Sequence, residues 1–429
     1  MRVRAAGNGR GGAGLIIAAV ALSACAPSLR QTGQQGQPTR PPGDNRDARL
    51  PDGTTTDGGQ AGQAGPPRAP GHPRFDGTQP LSERPEWMRA LQMPDIPLRW
   101  YPRVTQFLEQ YRSEPRSREI IRGWLRRFTA HRAVMEAALA REGLPKGLTF
   151  VAMIESGFTA SAMSSRGAGG FWQFRPAVAR AYGLEVSFWV DERRDLEKST
   201  AAAAKYLSDL YHRFGTWELA LAGYNAGPFA VLESISRFNT NDYGTLCRVE
   251  AGLPWETTEY VPKVLAVAIV EKNRRAFGLD EAAPAAGGDG PAPFEAASVP
   301  PATSFEALAA RTGVKAEDLA QLNPAFVRGR TPPDRDPVVL RFPPGKTPRL
   351  TTAALTAQNA DVVATVVRPG ETLVRLAKAR KISAERLRRL NAVLDDTDVT
   401  PGTMILVPRT RSARPTEPAA PLKGRRSPP

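Results

Sequence analysis

One apolar run that ends on a carboxylate constrains this chain of 429 residues more than any other stretch. Nearly every residue from Leu148 to Ile154 is apolar, Glu155 follows, and Ser156-Gly157 then supplies small residues of the kind that end helices. The pattern predicts a buried helix whose last turn carries Glu155. Apolar surroundings and the carbonyl-rich end of a helix both disfavour the anion, so we expect a raised pKa for this carboxyl group. Such an acid can donate a proton near neutral pH.

A glycine-rich loop and a group of aromatic residues follow the acid. Residues 166–170 read RGAGG and lead into Phe171-Trp172-Gln173-Phe174. Glycine lets a backbone approach a ligand closely, aromatic faces stack on sugar rings, and a glutamine amide both donates and accepts hydrogen bonds. A glutamate at a helix end is, taken alone, most often a solvated surface residue. Its combination with this loop and an aromatic platform favours a sugar-binding catalytic cleft.

Four separate motifs, in this order, resemble the soluble lytic transglycosylase (SLT) family. They are Glu155-Ser156, Gly170-Phe171-Trp172-Gln173-Phe174, Tyr224-Asn225-Ala226-Gly227 and Glu256-Thr257-Thr258-Glu259-Tyr260-Val261-Pro262-Lys263. The last motif is similar to the signature of the membrane-bound lytic transglycosylase D group. The second departs from the family pattern, since Gly-Phe-Trp-Gln stands where Gly-Leu-Met-Gln or Gly-Ile-Trp-Gln is usual. The resemblance is strongest over residues 144–278.

This resemblance implies a lysozyme-like helical domain that cleaves the β-1,4 bond between MurNAc and GlcNAc in peptidoglycan without water, leaving 1,6-anhydro-MurNAc ends. It implies Glu155 as the single catalytic residue, first acid and then base, with the Tyr224 hydroxyl pointing towards it. The substrate-binding residues that it implies are Ser156, Gln173, Phe174, Tyr224, Asn225 and Tyr260. Two alternatives stay open. One is a peptidoglycan hydrolase of goose-type lysozyme character, and the other is an inert peptidoglycan-binding lipoprotein.

Other carboxylates lie near these motifs. Asp191, Glu192 and Asp195 belong to a stretch of alternating charges, which favours salt bridges and a helix start over catalysis. Glu218 and Asp242 stay open as further acids in the cleft. Only two cysteines and three histidines occur in the whole chain, which argues against a disulfide framework and a zinc site. The sequence predicts no metal and no cofactor.

The N-terminus has the features of an export signal. Three arginines precede an apolar segment, Leu15–Leu22, which is too short to be a membrane span. The residues Leu22-Ser23-Ala24-Cys25 resemble a bacterial lipobox, which implies that residues 1–24 are removed and that Cys25 is lipidated. Ordinary signal cleavage is the alternative, and Pro27 argues against it. Ala26 favours the outer membrane, so we expect a periplasmic protein anchored there by lipid.

Composition and periodicity divide the rest of the chain. Residues 25–80 hold hardly a large apolar side chain and predict a disordered tether. Helical spacing predicts a helical domain with an N-terminal extension over 81–280, closed by an amphipathic helix from Val261 to Asn273. An Ala/Gly/Pro linker over 281–298 follows. The last 20 residues, 410–429, predict a disordered basic tail.

An internal repeat with an offset of 68 positions occupies the C-terminal part. Seven residues recur in register, namely Phe305, Leu308, Ala309, Val314, Leu319, Leu322 and Asn323 as Leu373, Leu376, Ala377, Ile382, Leu387, Leu390 and Asn391. The second copy, 362–409, resembles a LysM module of strand, two helices and strand, which implies binding of GlcNAc-containing glycans. The first, 299–345, lacks the Pro-Gly-Glu-Thr entry and resembles a degenerate copy, for which packing without glycan binding is an equal alternative. The expected fold class is mainly α with small α+β modules.

The chain is strongly basic, with a formal charge of +15. A basic surface predicts anionic surroundings such as cell-wall polymer or membrane headgroups. Nucleic acid is excluded as the main partner, because the arginines are spread along the chain and an export signal precedes the fold.

Overall fold

The computed structural model describes residues 78–280, 293–347, 361–394 and 396–409. The predictions for the signal peptide, Cys25, most of the tether and the tail concern residues outside these ranges. Helices dominate the described part, and four short strands follow them in the chain. The prediction of a mainly α chain that ends in small α+β modules is confirmed. None of the described helices combines the length and the apolarity needed to cross a lipid bilayer.

The helical domain lies between residues 78 and 280. Its α-helices are α1 (Glu86–Arg89), α2 (Pro102–Ser113), α3 (Pro115–Arg141), α4 (Thr149–Ser156), α5 (Pro176–Ala181), α6 (Leu196–Phe214), α7 (Trp217–Ala226), α8 (Pro228–Phe238), α9 (Tyr243–Arg248) and α10 (Trp255–Lys272). Short 3-10 helices occupy Leu81–Glu83, Lys146–Leu148, Glu192–Arg194 and Arg274–Phe277.

Helix α10 is the central helix of this domain. It packs against α2, α4 and α7, and its residues from Thr257 to Glu271 are buried with few exceptions. The prediction of an amphipathic closing helix was wrong in two respects. The helix begins at Trp255 rather than Val261, and it has no broad polar face because neighbouring helices cover it on most sides.

A side-chain hydrogen bond compensates for the proline inside α10. Pro262 has no N–H to donate to the carbonyl four residues earlier, which belongs to Thr258. The hydroxyl of Tyr243 in α9 donates to this carbonyl at 3.1 Å and to that of Thr257 at 3.3 Å. Helix α10 therefore continues past Tyr260 without an unsatisfied carbonyl at the proline.

Two similar modules follow the helical domain. The first consists of β1 (Glu295–Val299), α11 (Phe305–Thr312), α12 (Ala316–Leu322) and β2 (Val338–Phe342), and the second of β3 (Val362–Val366), α13 (Leu373–Ala379), α14 (Ala384–Leu390) and β4 (Met404–Pro408). In each, the two strands pair antiparallel, with Val299 opposite Val338 and Val366 opposite Met404. The order strand, helix, helix, strand is thus confirmed for both copies.

The repeated asparagine connects helix to strand in each module. Asn323 donates from Nδ2 to the carbonyl oxygens of Leu319 and Arg341, and its Oδ1 accepts from the Arg341 N–H. Asn391 makes the same three bonds with Leu387 and Leu406. One amide side chain thereby satisfies buried backbone groups of both the second helix and the last strand.

A loop of the helical domain contacts both modules. Phe188, Trp189 and Val190 precede the short helix at Glu192–Arg194 and form one apolar cluster with residues of the first module, such as Ala325, and of the second, such as Leu406. Trp189 Nε1 also donates to the Met404 carbonyl at 2.9 Å. Ion pairs of Arg335 with Glu185 and of Arg341 with Asp195 join the first module to the helical domain. The first copy therefore packs closely on that domain.

We expect Asn391→Ala to loosen β4 of the second module. It removes three hydrogen bonds and leaves the buried Leu406 N–H without its acceptor, which should lower the local opening free energy by about 2–4 kcal/mol. Hydrogen–deuterium exchange at 404–408 measures this change. The matched control is Lys378→Ala, an exposed position on α13 that should leave exchange unchanged. Equal protection of β4 in all three proteins would contradict the assignment.

Candidate active site

Glu155 lies in the last turn of α4, as the sequence predicts. The helix ends at Ser156, and Gly157 takes the left-handed conformation with φ of 57°, its N–H bonded to the Met153 carbonyl at 2.9 Å. The preceding residues from Thr149 to Met153 are buried. Glu155 itself is half-buried, so it lies at the boundary of the apolar core.

Tyr260 is the direct partner of this carboxyl group. Its hydroxyl donates to Glu155 Oε1 at 2.6 Å from the middle of α10. Burial raises the pKa of the Tyr260 hydroxyl well above its usual value, so it remains a donor across the neutral range. The resemblance implied that the Tyr224 hydroxyl points towards the acid, whereas the direct hydrogen bond to Glu155 comes from Tyr260.

Tyr224 instead supports the glycine-rich loop. Its hydroxyl donates to the Trp172 carbonyl at 2.7 Å, so it points to the backbone of the loop rather than to the carboxyl group. The charge of Glu155 nevertheless acts on it, since together with burial it raises the pKa of Tyr224 well above its usual value. Tyr260 therefore contacts the acid, and Tyr224 holds the glycine-rich loop.

Burial raises the pKa of Glu155 to about 7. The hydrogen bond from Tyr260 acts in the opposite direction, and the negative charge of Glu256 raises the value further. The predicted direction is confirmed. Near neutral pH both the acid and the carboxylate forms are populated, which is what a group needs to give up a proton and later take one back.

Ser156 and Gln173 face the loop rather than open space. Ser156 Oγ donates to the Phe171 carbonyl at 2.7 Å. Gln173 has a φ of 48°, and its amide nitrogen donates to the carbonyls of Gly170 and Ala162. Among the described residues no group donates to its Oε1, which leaves that oxygen available to a ligand. Ser156 is thereby a residue that positions the loop, and Gln173 is held to the loop through its amide nitrogen.

The aromatic side chains of the loop are buried, which contradicts the predicted sugar-stacking platform. Phe171, Trp172 and Phe174 are 4%, 0% and 3% exposed. Phe174 packs against the rings of Tyr206 and Tyr224, with centroids 6.0 and 6.2 Å away. As a substrate contact Phe174 was therefore a wrong expectation, because the core of the domain already covers its ring.

Asn225 links two of the motifs. Its Oδ1 accepts from Thr257 Oγ1 at 2.7 Å, which joins the end of α7 to the first turn of α10. Glu256 precedes this threonine, is exposed, and lies one helical turn before Tyr260. Glu256 was not singled out from the sequence, although its spacing of four from Tyr260 places both on one helix face. The exposed aromatic residues beside these motifs, Phe229 at 82% and Trp255 at 48%, were not singled out either.

The other carboxylates have structural partners. Asp191 binds the buried Arg193 through both oxygens at 2.8 Å, and Asp195 caps α6 by accepting from the Lys198 N–H. The predicted structural role of these two is confirmed. Glu218 and Asp242 both pair with Arg99, at 3.1 and 2.8 Å.

The buried Arg193 holds the glycine-rich loop through hydrogen bonds to its backbone. Its Nη1 donates to the carbonyls of Gly167 and Phe174 at 2.7 and 2.8 Å. The loop also contacts the backbone of this arginine, because a Cβ at Gly170 would come within 1.9 Å of the Arg193 carbonyl oxygen. Gly170 is thus required both by its φ of 78° and by this close approach.

Comparisons with known proteins agree with the motifs. The family model of the Transglycosylase SLT domain matches residues 132–246, that of the "Lytic transglycosylase MltD, LysM-like domain" matches 294–359, and that of the LysM domain matches 365–408. Membrane-bound lytic murein transglycosylase D of Escherichia coli K12 is 29% identical over 297 residues, which is 64% of this chain and 62% of the relative. The chain thus spans about three fifths of that relative's length and is homologous to it.

Two solved structures share a more limited likeness. An inactive variant of lytic transglycosylase Slt from Pseudomonas aeruginosa is 26% identical, covering 34% of this chain and 24% of its own, with a TM-score of 0.30. The 70 kDa soluble lytic transglycosylase of Escherichia coli is 17% identical, covering 38% and 32%, also with a TM-score of 0.30. Neither likeness bears on the site at this TM-score.

We expect Gly170→Ala to destabilise the domain far more than Gly167→Ala. Both glycines have φ near 78°, at 78° and 77°, so an alanine pays the same left-handed strain of about 1–2 kcal/mol at either position. Only at Gly170 does the new Cβ meet a backbone carbonyl, while at Gly167 nothing lies within 4 Å. Thermal unfolding of the two variants measures the difference. Equal losses of stability would show that Arg193 does not hold the loop as described.

Proposed function

We propose that this chain, which carries an SLT transglycosylase domain followed by a MltD-type LysM-like domain and a LysM domain, is a lytic transglycosylase of peptidoglycan. The observation that carries the proposal is Glu155, a carboxyl group with a pKa of about 7 that accepts a hydrogen bond from the buried Tyr260. The name of the homologous relative, a lytic murein transglycosylase, supports the substrate class.

In the proposed reaction one residue acts twice. Glu155 in its acid form gives its proton to the glycosidic oxygen between MurNAc and GlcNAc as the bond to the anomeric carbon breaks. The acetamido group of the substrate stabilises the positive charge that develops on that carbon. The MurNAc C6 hydroxyl then attacks the same carbon and returns its proton to Glu155, which forms the 1,6-anhydro ring and restores the acid. No water is consumed.

Tyr260 assists the ionised stage of this cycle. Its hydroxyl donates to Oε1, so it stabilises the carboxylate that remains after the first proton transfer. Desolvation favours the acid form, so that the proton needed by the leaving oxygen is still bound near neutral pH. The two effects oppose each other and keep the pKa between the value of a solvated carboxyl group and that of a fully buried one.

The roles of the neighbouring carboxylates are consistent with a mechanism that uses one catalytic acid. Glycoside hydrolysis in most families needs a second carboxylate across the scissile bond, as nucleophile or as base for water. Asp191, Glu218 and Asp242 are each committed to an arginine. Glu256 is the carboxylate whose charge acts on Glu155, and it is exposed on the same helix face as Tyr260. We assign it an electrostatic effect on the acid.

The remaining parts are proposed to hold the enzyme at its polymer. We propose that the second module binds GlcNAc-containing strands, and that the first serves chiefly to pack the second against the helical domain. Lipidation of Cys25 in the periplasm, with anchoring to the outer membrane, is proposed from the Leu22–Cys25 motif and from the membrane-bound relative.

The products of peptidoglycan digestion test the reaction. We expect the full chain to release muropeptides that end in 1,6-anhydro-MurNAc, and mass spectrometry to find no reducing ends heavier by one water. Glu155→Gln should slow cleavage by about 10²–10⁴-fold, since it keeps the shape and loses the proton. Glu192→Gln is a matched control on a structural carboxylate and should keep the activity. Reducing ends would assign a hydrolase, and an inactive wild type would assign a binding protein.

The pH profile tests the environment of the acid. Tyr260→Phe removes the donor that stabilises the carboxylate, so the pKa of Glu155 should rise above about 7. Activity requires the acid form and falls as pH rises through this pKa, so the alkaline limb of kcat/KM should move up by about one pH unit. Glu256→Gln removes a negative charge and should move the same limb down, by less at high salt. Shifts in the same direction would refute the assigned neighbours.

A further inference from the structure

A polar pocket includes Tyr206, whose ring contacts Tyr224 of the proposed active site. It has a volume of about 450 Å³ and is lined by Tyr182, Tyr206, Asp209, Leu210, His212, Arg213 and Pro228. Most of these residues belong to the C-terminal half of α6, and Pro228 begins α8 directly after the Tyr224-Asn225-Ala226-Gly227 motif. The pocket has the size of a ligand site.

A row of tyrosine rings joins this pocket to the acid. The ring of Tyr224 lies 5.3 Å from that of Tyr206, which in turn lies 5.0 Å from that of Tyr182, centroid to centroid. The charge of Glu155 acts on Tyr224 as well as on Tyr260. These ring contacts place the pocket next to Tyr224, which holds the glycine-rich loop through the Trp172 carbonyl.

The pocket contains an arginine that makes no salt bridge within the described part of the chain, although the carboxylate of Asp209 lines the same pocket. Arg213 is exposed and forms no ion pair or hydrogen bond with any residue that the structure describes, although its charge reaches the hydroxyls of Tyr206 and Tyr182. The Tyr206 hydroxyl likewise has no hydrogen-bond partner within the described ranges. Donors of this kind, a guanidinium and a phenol beside each other, suit a carboxylate.

The other polar groups of the pocket, on Tyr182, Asp209 and His212, already have hydrogen-bond partners. Tyr182 donates its hydroxyl proton to Asp209 Oδ2 at 2.8 Å, and His212 Nδ1 is bonded to the Ser208 carbonyl at 2.8 Å. Asp209 keeps a second oxygen that can accept from an amide N–H. The pocket thus offers donors to a carboxylate on one side and an acceptor to a peptide N–H on the other.

We propose that this pocket binds the carboxylate-bearing substituent of the muramoyl residue next to the scissile bond, with Arg213 and Tyr206 on the carboxylate and Asp209 on an amide N–H. The proposal rests on the proposed function, because it takes a peptidoglycan strand as the ligand of the cleft. MurNAc carries a lactyl group that ends in a peptide stem, or in a free carboxylate once the stem has been removed. Arg213 is then a specificity residue and takes no part in proton transfer.

The test compares three glycans on the full chain. Strands with peptide stems and strands freed of stems by an amidase serve as substrates, and a neutral GlcNAc oligosaccharide serves as a competitor. We expect Arg213→Gln to raise KM for stem-bearing strands by roughly 10-fold with kcat little changed, because a bond to a charged group is lost. Affinity for the neutral competitor should stay the same, and Arg213→Lys should restore part of the effect.

The stem-free strands identify which carboxylate is bound. An effect confined to stem-bearing strands assigns a carboxylate of the peptide, and one that persists on stem-free strands assigns the lactyl group. The matched control is Lys205→Gln, which removes a positive charge from an exposed position on the same helix that does not line the pocket. Equal weakening of the neutral competitor, an equal effect of the control, or an unchanged KM on both substrates would overturn the proposal.

A binding measurement separates this proposal from the proposed function. If the wild type cleaved neither substrate, the assigned reaction would fail, and calorimetric titration with a soluble muramoyl peptide would still decide the pocket. Binding to the wild type that is lost in Arg213→Gln supports the site. Equal binding to both proteins, or binding to neither, refutes it.

Discussion

Desolvation of one carboxyl group is the interaction on which the proposed chemistry depends. Helix α4 is so apolar that its residues up to Met153 are buried, and its last turn carries Glu155 to the edge of that core. A pKa raised from 4.5 to about 7 means that the folded chain binds this proton more tightly than the unfolded chain does. The associated stability is present below the unfolded pKa and is lost as pH rises through 7, at a cost on the order of 3 kcal/mol.

Hydrogen bonds from neighbouring residues hold the surroundings of Glu155 in place. Tyr260 stabilises the carboxylate from α10, whose path past Pro262 is completed by the Tyr243 hydroxyl. The buried Arg193 holds the glycine-rich loop through its side chain and through the close approach of its backbone to Gly170. Both the hydrogen-bond donor of the acid and the glycine-rich loop therefore have fixed partners in the fold, which is the preorganisation that proton transfer requires.

Local patterns predicted the elements but not the contacts between them. The apolar run before Glu155 and the 68-residue repeat gave the helix end and the two modules, because periodicity and chain-local burial determine both. Which tyrosine meets the acid depends on the side-chain directions of helices far apart in the sequence, 105 residues for Tyr260 and Glu155, and no local pattern contains them. The aromatic residues of the loop were misjudged for a related reason. Phe174 suits a sugar face as well as a core, and only the packing of Tyr206 and Tyr224 decides between them.

The pKa of the Glu155 carboxyl group is the measurement that tests this account most directly. Carbon-13 NMR of selectively labelled glutamate, read as the difference between the wild type and Glu155→Gln, follows its titration. We expect a midpoint of about 7. A midpoint near 4.5, the ordinary value for a solvated glutamate, would show that the group is not desolvated and would contradict the proposed acid.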